Sequence, residues 1–376
     1  MKKYNIINNS LGWLCFIIAA ATYLLTLEPT ASFWDCPEYI IQGQNLEIGH
    51  PPGNPIWMLA ARFFINFAGG NPANSAIAVN VMSALFSAAT ILLLFWTITH
   101  LVKRLIVRDD EQEIPLPRML VIFGSGLCGA LAYTWSDTFW FSAVEGEVYA
   151  FSSFCTALVF WLILKWENRA DNPRSDRYLI LIAYVIGISV AVHLLNLLCI
   201  PAIVLVMYFR KFKNTNAKGA LIALGISFAI VVAILYGLVP GFIEVAQYFE
   251  IFAVNTLGMS YNSGVLIYAI LVLGLFLWTI YELYTRKSSK RDGLIKTLVV
   301  LCVTFSGIPL IGDSKLWPVL IIAGLVVYFV MSEKMHTRIL NLTIMSIFVI
   351  FIGYSSYALI LIRANANTPM NQNAPD

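Results

Sequence analysis

The apolar run Tyr178–Phe209, YLILIAYVIGISVAVHLLNLLCIPAIVLVMYF, decides how often this chain crosses a membrane. A spanning helix needs about 20 apolar residues, within a range of roughly 17 to 25. The run is too long for one crossing and barely enough for two. Charge resolves the ambiguity. Arg174 and Arg177 precede it, and Arg210, Lys211 and Lys213 follow it. Basic loops stay cytoplasmic, so both ends face inward and the chain turns outside, near His193-Leu-Leu-Asn196.

The same measure applied to the rest of the chain gives candidate spans at 11–27, 76–102, 119–135, 148–166, 178–194, 196–209, 219–240, 264–284, 295–311, 316–331 and 339–362. The expected fold is therefore an all-α polytopic membrane protein of about 11 transmembrane helices. A hydrophobic fraction of 59% with only 12% charged residues agrees, since soluble domains carry about 25% charge. With the N-terminus inside and the C-terminus outside, every Lys and Arg of the 24 falls on the cytoplasmic side except Arg62, Lys315 and Arg363. Eleven of the 21 acidic residues fall outside, so the external face carries a formal charge of −8. The basic residues form short clusters between apolar segments, which excludes nucleic acid as a partner. Lys2-Lys3 followed by an apolar core has the form of a secretory signal. The length of the run Leu11–Leu27 and the absence of a small-x-small site favour an uncleaved first helix instead.

Three external loops are expected, 28–75, 136–147 and 241–263, within a membrane module spanning 1–363. The first should contain amphipathic helices lying on the membrane: Ile56–Phe67 is apolar, too short to span, and flanked by Gly and Pro. Phe242–Leu257, where Glu244, Gln247, Glu250 and Asn255 alternate with aromatics, could lie similarly. Residues 364–376, rich in Asn and Pro, read as a disordered external tail that could begin a further soluble region. Five of the six cysteines sit in apolar runs and Cys36 stands in a polar loop without an evident partner. There is neither a disulfide framework nor a metal motif.

Charge is scarce in this chain, so its concentration in Glu28–Gly53 is informative: Glu28, Asp35, Glu38, Glu47 and His50 fall within that span. Asp35 and Glu38, three apart, share one face of any helix that begins there, and partial desolvation suits one of them to act as a general base. The same residues also form a capping-box pattern, with Asp35 at the N-cap, Pro37 in the first turn and Glu38 at the third position. Gly49-His-Pro-Pro-Gly53 is a stiffened turn that could present His50 to a phosphate or sugar oxygen.

In the second loop, Glu145 and Glu147 flank a glycine beside Tyr149. They suit hydrogen bonding to sugar hydroxyls or support of a catalytic carboxylate, and are equally readable as solvated loop charges; Tyr149 is by default an interfacial anchor. His193 and Asn196 mark the external turn, where such a pair often satisfies backbone groups at a helix break. Arg62, Lys315 and Arg363 are the external cations available to an anionic substrate, with snorkelling as the ordinary reading of each. No Walker loop, HExxH or nucleophile elbow occurs, and neither a cofactor nor a metal is expected.

Ser32-Phe-Trp-Asp-Cys-Pro-Glu38, Gly49-His-Pro-Pro-Gly53, the stretch Ser136–Tyr149 and His193-Leu-Leu-Asn196 together resemble a protein O-mannosyltransferase-like membrane family of the GT-C glycosyltransferase superfamily. The resemblance runs along nearly the whole chain. It implies a GT-C-like helix bundle in an inner membrane and transfer of a hexose, expected to be mannose, from a polyprenyl-phosphate sugar donor to Ser or Thr of a protein acceptor. It further implies a general base in the first external loop, matched by Asp35 and next by Glu38, and inversion at the anomeric carbon. Location makes His50, Arg62 and Arg363 candidates to receive the leaving phosphate, with Glu145, Glu147, Tyr149, His193 and Asn196 as further substrate contacts. Members of the family often continue into a soluble region beyond a tail like Arg363–Asp376. A transporter or flippase of a lipid-linked glycan is the competing class, and a noncatalytic membrane scaffold the third. Transport paths place polar groups deep in the membrane, where this chain has almost none.

Overall fold

A computed structural model describes residues 2–108, 113–312, 314–332 and 334–372. Eight helical stretches are long and apolar enough to cross a membrane, and no strand occurs among the described residues apart from one isolated bridge. The chain is an all-α polytopic membrane protein. Its contacts divide it into two compact units, Met1–Cys199 with Ile352–Asp376, and Ile200–Phe351.

The first unit contains α1 (Lys2–Leu25), α2 (Cys36–Asn45), α3 (Pro55–Phe67), α4 (Ser75–Ile106), α5 (Leu116–Thr134), α6 (Asp137–Ala143), α7 (Val148–Glu167) and α8 (Asp176–Val190). α4 organises it. At 32 residues it is about 48 Å long, and α1, α5 and α7 pack along it. Small buried residues, Ala78, Ser83, Ala84, Ser87 and Ala88, line the helix and let its neighbours approach closely. In lipid this matters more than hydrophobicity, because the acyl chains are as apolar as the helices. One cluster joins α1, α4, α5 and α6 through Tyr23, Ile91, Phe95, Ile122 and Phe139. A second joins α2, α3, α4 and the start of α7 through Tyr39, Trp57, Ile65, Val79, Met82 and Val148.

The loop 28–75 holds α2 and α3, both too short to span. α3 is two-faced as expected: Trp57, Met58, Ala61 and Ile65 are buried, while Leu59, Phe63 and Phe67 are exposed.

The second unit contains α9 (Ile200–Lys211), α10 (Ala217–Val232), α11 (Val239–Ile251), α12 (Ser263–Thr285), α13 (Asp292–Phe305), α14 (Leu316–Met331) and most of α15 (Thr337–Tyr354). Ala217–Thr256 is continuously helical. Its π turn at Ala233–Leu238 ends two residues before Pro240, which has no N–H to give to the turn before it. Residues 241–263, read from the sequence as a loop, are thus largely helix. Tyr268, Phe276 and Leu283 of α12 share a core with Ile295, Leu298 and Cys302 of α13. Beyond α15, α16 (Ala358–Ala364) returns the chain to the first unit.

Each of the eleven predicted apolar segments contains a helix, though 295–311 is helical only to Phe305 and 178–194 only to Val190. Three, α8, α13 and α14, have 15, 14 and 16 residues, short of a full crossing, which is why eight and not eleven meet the length requirement. The deciding run 178–209 does break. α8 ends at Val190, Ala191–His193 turns, and a 3₁₀ stretch Leu194–Cys199 leads into α9. The tail read as disordered is held as far as Gln372. The Ile48 N–H donates to the Met370 carbonyl at 3.0 Å, and the Gln372 N–H to that of Ile48, also at 3.0 Å. The remainder of that prediction, 373–376, lies outside the described residues.

Candidate active site

Trp34 has a φ of 61°, in the left-handed region, and turns the chain sharply into the first turn of α2. That turn carries Asp35, Cys36, Glu38 and Tyr39. The Asp35 carbonyl accepts the Tyr39 N–H at 2.9 Å, but the Asp35 side chain makes no capping bond. Glu38 does not close a capping box either. Its Oε1 accepts both the backbone N–H of His50, at 2.6 Å, and His50 Nδ1, at 2.9 Å. Pro37 supplies the stiff first turn, so the two carboxylates are free of capping duty.

Gly49 makes the contact with His50 feasible. A Cβ at this position would lie 1.6 Å from Gln42 Nε2 and 2.2 Å from Glu38 Oε1. The missing side chain lets the His50 turn sit against the ends of Glu38 and, one turn on, Gln42 on the face of α2. After the two prolines, Gly53 (φ 87°) and Asn54 (φ 40°) bring the chain into α3. Asn54 Nδ2 donates to the Tyr39 hydroxyl at 3.1 Å, and the Tyr39 ring packs 4.9 Å from Trp57 and 5.8 Å from His50.

Trp57, fully buried, donates from Nε1 to the Glu147 carbonyl at 3.1 Å and ties this assembly to the second loop. There Glu145 and Glu147 are both buried, contrary to a reading as solvated loop charges. Cys36, equally buried, lies between them: its thiol donates to Glu145 Oε2 at 3.7 Å and Glu147 Oε1 at 3.8 Å. Burial, followed by these two carboxylates, pushes the thiol well above its usual pKa, so it serves as a donor. Glu147 caps α7 by accepting the Val148 N–H at 3.3 Å.

Burial raises the pKa of Glu147 to about 7. The bond from Val148 opposes the shift, and the charges of Asp35 and Glu145 add to it. Glu145 is raised by burial too. Asp35, by contrast, is exposed at the rim. A buried acid near neutrality beside an exposed carboxylate is a division of labour suited to proton transfer.

Asp35, Glu38 and His50 each offer a ligand atom within 4.8 Å of the others, so this trio could hold a divalent cation. The Glu38–His50 bond bears on the fit, because a carboxylate holding Nδ1–H leaves Nε2 as the ring's ligand atom.

Tyr149 and His193 approach with ring centroids 5.6 Å apart, joining the first turn of α7 to the 191–193 turn. His193 Nδ1 accepts the Leu195 N–H at 3.2 Å, the backbone role expected at a helix break, and burial lowers its pKa. Asn196 is buried, and both polar atoms of its amide lack a hydrogen-bond partner among the described residues.

Arg62 and Arg363 are placed elsewhere. Arg62 donates to the Gln44 carbonyl, and Arg363 to those of Leu46, at 2.7 Å, and Asn45, at 3.1 Å. Both satisfy the open carbonyls at the C-terminal end of α2, roughly 15 Å of helix from Asp35 and roughly 10 Å from Glu38. Lys315 stands at the N-cap of α14 in the other unit.

Cys36, Tyr39 and Trp57 are site residues that sequence reasoning passes over. Cys36 alone carried a signal, as a cysteine stranded among acids in a polar loop.

Residues 35–216 match a family model described as the protein O-mannosyl-transferase TMEM260 N-terminal domain. A protein from Dictyostelium discoideum named protein O-mannosyl-transferase tmem260 is 23% identical over 189 residues, 49% of this chain and 21% of its own length. A Mus musculus protein named protein O-mannosyl-transferase TMEM260 is 24% identical over 226 residues, 60% of this chain and 28% of its own. The matches therefore take in less than a third of either relative. No solved structure matches. These similarities support an O-mannosyltransferase-like family, and the matched region contains the whole carboxylate cluster.

Proposed function

We propose that this chain, similar over residues 35–216 to the N-terminal domain of protein O-mannosyl-transferases, is the membrane module of a glycosyltransferase that moves mannose from a polyprenyl-phosphate donor to Ser or Thr of a protein acceptor. The reaction takes place at the external face of an inner membrane, on loops 28–75 and 136–147, with the N-terminus cytoplasmic. The observation that carries the reading is the exposed carboxylate of Asp35, set above the buried Glu145, Cys36 and Glu147 and beside the bonded pair Glu38–His50.

A hydroxyl is a poor nucleophile until its proton has somewhere to go. Asp35 takes that proton as the acceptor oxygen attacks the anomeric carbon from the face opposite the phosphate. The C–O bond to the phosphate breaks, its electron pair leaves with the polyprenyl phosphate, and configuration inverts. Glu38 holds His50 through Nδ1 and so fixes the imidazole beside the place where the phosphate departs. Glu145 and Glu147 contribute hydrogen bonds to sugar hydroxyls and a reserve of proton-accepting capacity behind Asp35. Tyr149, His193 and Asn196 form the wall where the sugar rests.

The test is incubation of purified protein with labelled polyprenyl-phosphate mannose and acceptor polypeptides. Label in the polypeptide, lost in Asp35→Asn, supports the reading. Movement of the labelled lipid across vesicles without transfer would replace it with transport.

A further inference from the structure

Five residues other than glycine hold a left-handed φ among the described residues: Trp34, Leu46, Asn54, Asn262 and Asn367. Three of them are Asn, a type that tolerates this conformation. Leu46 ends α2 and packs against the cluster of Ile48, Met58, Ile360 and Ala364. Trp34 has neither the amide nor the packing. At 90% it is the most exposed large apolar side chain among the described residues, and Phe33 beside it stands at 81%. Glycine makes a left-handed turn at lower cost, and an indole left in water contributes no burial to the fold. A backbone outlier without compensating contacts points to a use for its side chain.

The two aromatics do not sit on a loose loop tip. Before them, the Glu28 N–H donates to the Val144 carbonyl at 3.2 Å, and Asn80 Nδ2 of α4 donates to the carbonyls of Glu28, at 2.7 Å, and Thr30, at 3.1 Å. Thr30 closes onto Glu28 Oε1 through its hydroxyl at 2.9 Å. After them, α2 is held by Tyr39 against Trp57 and by Glu38 against His50. Phe33 and Trp34 are therefore bare rings on a fixed mount. A Trp so presented offers a large contact area with only two torsions to immobilise.

Trp34 adjoins Asp35, with about 3.8 Å between their Cα atoms, so a hydroxyl that reaches Asp35 arrives beside the indole. The groups suited to hydrogen-bonding a sugar, Glu145, Glu147 and Asn196, are buried. Phe33 and Trp34 offer exposed aromatic faces instead, which suit the apolar side chains or prolines of a polypeptide. An extended chain rises about 3.3 Å per residue, which brings the indole level with the residue one or two positions from the hydroxyl. We infer that Trp34, with Phe33 beside it, holds the acceptor polypeptide through an apolar residue or proline one or two positions from the Ser or Thr that receives the sugar. This specificity contact rests on the transfer to a protein acceptor proposed above.

The test uses full-length protein in vesicles and two fluorescent peptides that differ only in Leu or Gly beside a single Thr. Peptide binding is read by anisotropy, and mannose transfer from the labelled lipid-linked donor is read in parallel. The wild type should bind the leucine peptide about tenfold more tightly. Trp34→Gly, which suits the left-handed φ, should erase that preference without lowering the melting temperature, and should raise KM for the leucine peptide with kcat within about twofold. Trp34→Tyr should keep the preference. Equal binding of both peptides by the wild type overturns the inference, as does a preference that survives in Trp34→Gly. A glycine variant that melts earlier shows a ring holding the turn, and one that raises KM for the donor alone shows a ring serving the lipid or membrane side; each also overturns it. Preferential binding without transfer would sink the transferase reading and leave the peptide contact standing, whereas transfer with equal affinities would sink the contact alone.

Discussion

His50 gives both its backbone N–H and its Nδ1 to a single oxygen, Oε1 of Glu38, at 2.6 and 2.9 Å. One carboxylate oxygen thus fixes both the path of the 49–53 turn and the aim of the imidazole. Glu38→Gln retains an acceptor but loses the charge behind both bonds. Loss of a charge-assisted pair costs about 1.5–3 kcal/mol, so the variant should melt earlier and transfer more slowly. A full-activity Glu38→Gln would mean that His50 needs no orientation.

Asp35→Asn should separate catalysis from folding. The side chain is exposed and makes no capping bond, so the change should cost within roughly 0.5 kcal/mol of stability and leave abundance near wild type. Removal of a general base lowers turnover by about 10²–10⁴. Single-turnover transfer with equal amounts of membrane-inserted protein is the measurement; undiminished turnover excludes Asp35 as the base.

Gly49→Ala forces a Cβ against Gln42 Nε2 and Glu38 Oε1. Either the ends of those side chains shift or the turn retreats from α2, and overpacking of this kind costs about 1–3 kcal/mol. The Glu38–His50 bond should be the first casualty, visible as a changed His50 imidazole resonance in NMR together with reduced transfer. An unchanged resonance would show that Gln42 yields instead.

Glu147 links stability to pH. Its pKa rises from 4.5 unfolded to about 7 folded, chiefly through burial. Between those values the folded state binds more protons than the unfolded one. Stability is therefore greatest below about pH 4.5, falls as pH climbs toward 7, and levels off above it. The shift corresponds to at most about 3.4 kcal/mol, and Glu145, also raised, adds in the same direction. Glu147→Gln should flatten the dependence in thermal melts across that window; a wild-type slope in the variant would assign it to another group.

Arg62→Gln and Arg363→Gln test the sequence expectation that these cations receive a phosphate. Both are bonded to the last carbonyls of α2, so each change should lower the melting temperature by an amount equivalent to about 1–2 kcal/mol and leave the KM for the lipid-linked donor unchanged. A raised KM at unaltered stability would return them to the substrate.

The sequence by itself determined the class of this protein. Runs of apolar residues must become helices in lipid, since each backbone polar group has to find its partner within its own segment. That constraint made the eleven helical segments readable, together with the break inside 178–209 and the concentration of acids after the first helix. It could not determine which acids lie where. The distance between Glu38 and His50, the shared thiol of Cys36 between Glu145 and Glu147, and the diversion of Arg62 and Arg363 to the end of α2 all join residues far apart in the chain. These depend on how α2, α3 and the second loop pack around Trp57, and burial, the source of the raised Glu147 pKa, exists only once they have. Periodicity and charge are local properties; desolvation and hydrogen-bond choice belong to the tertiary structure.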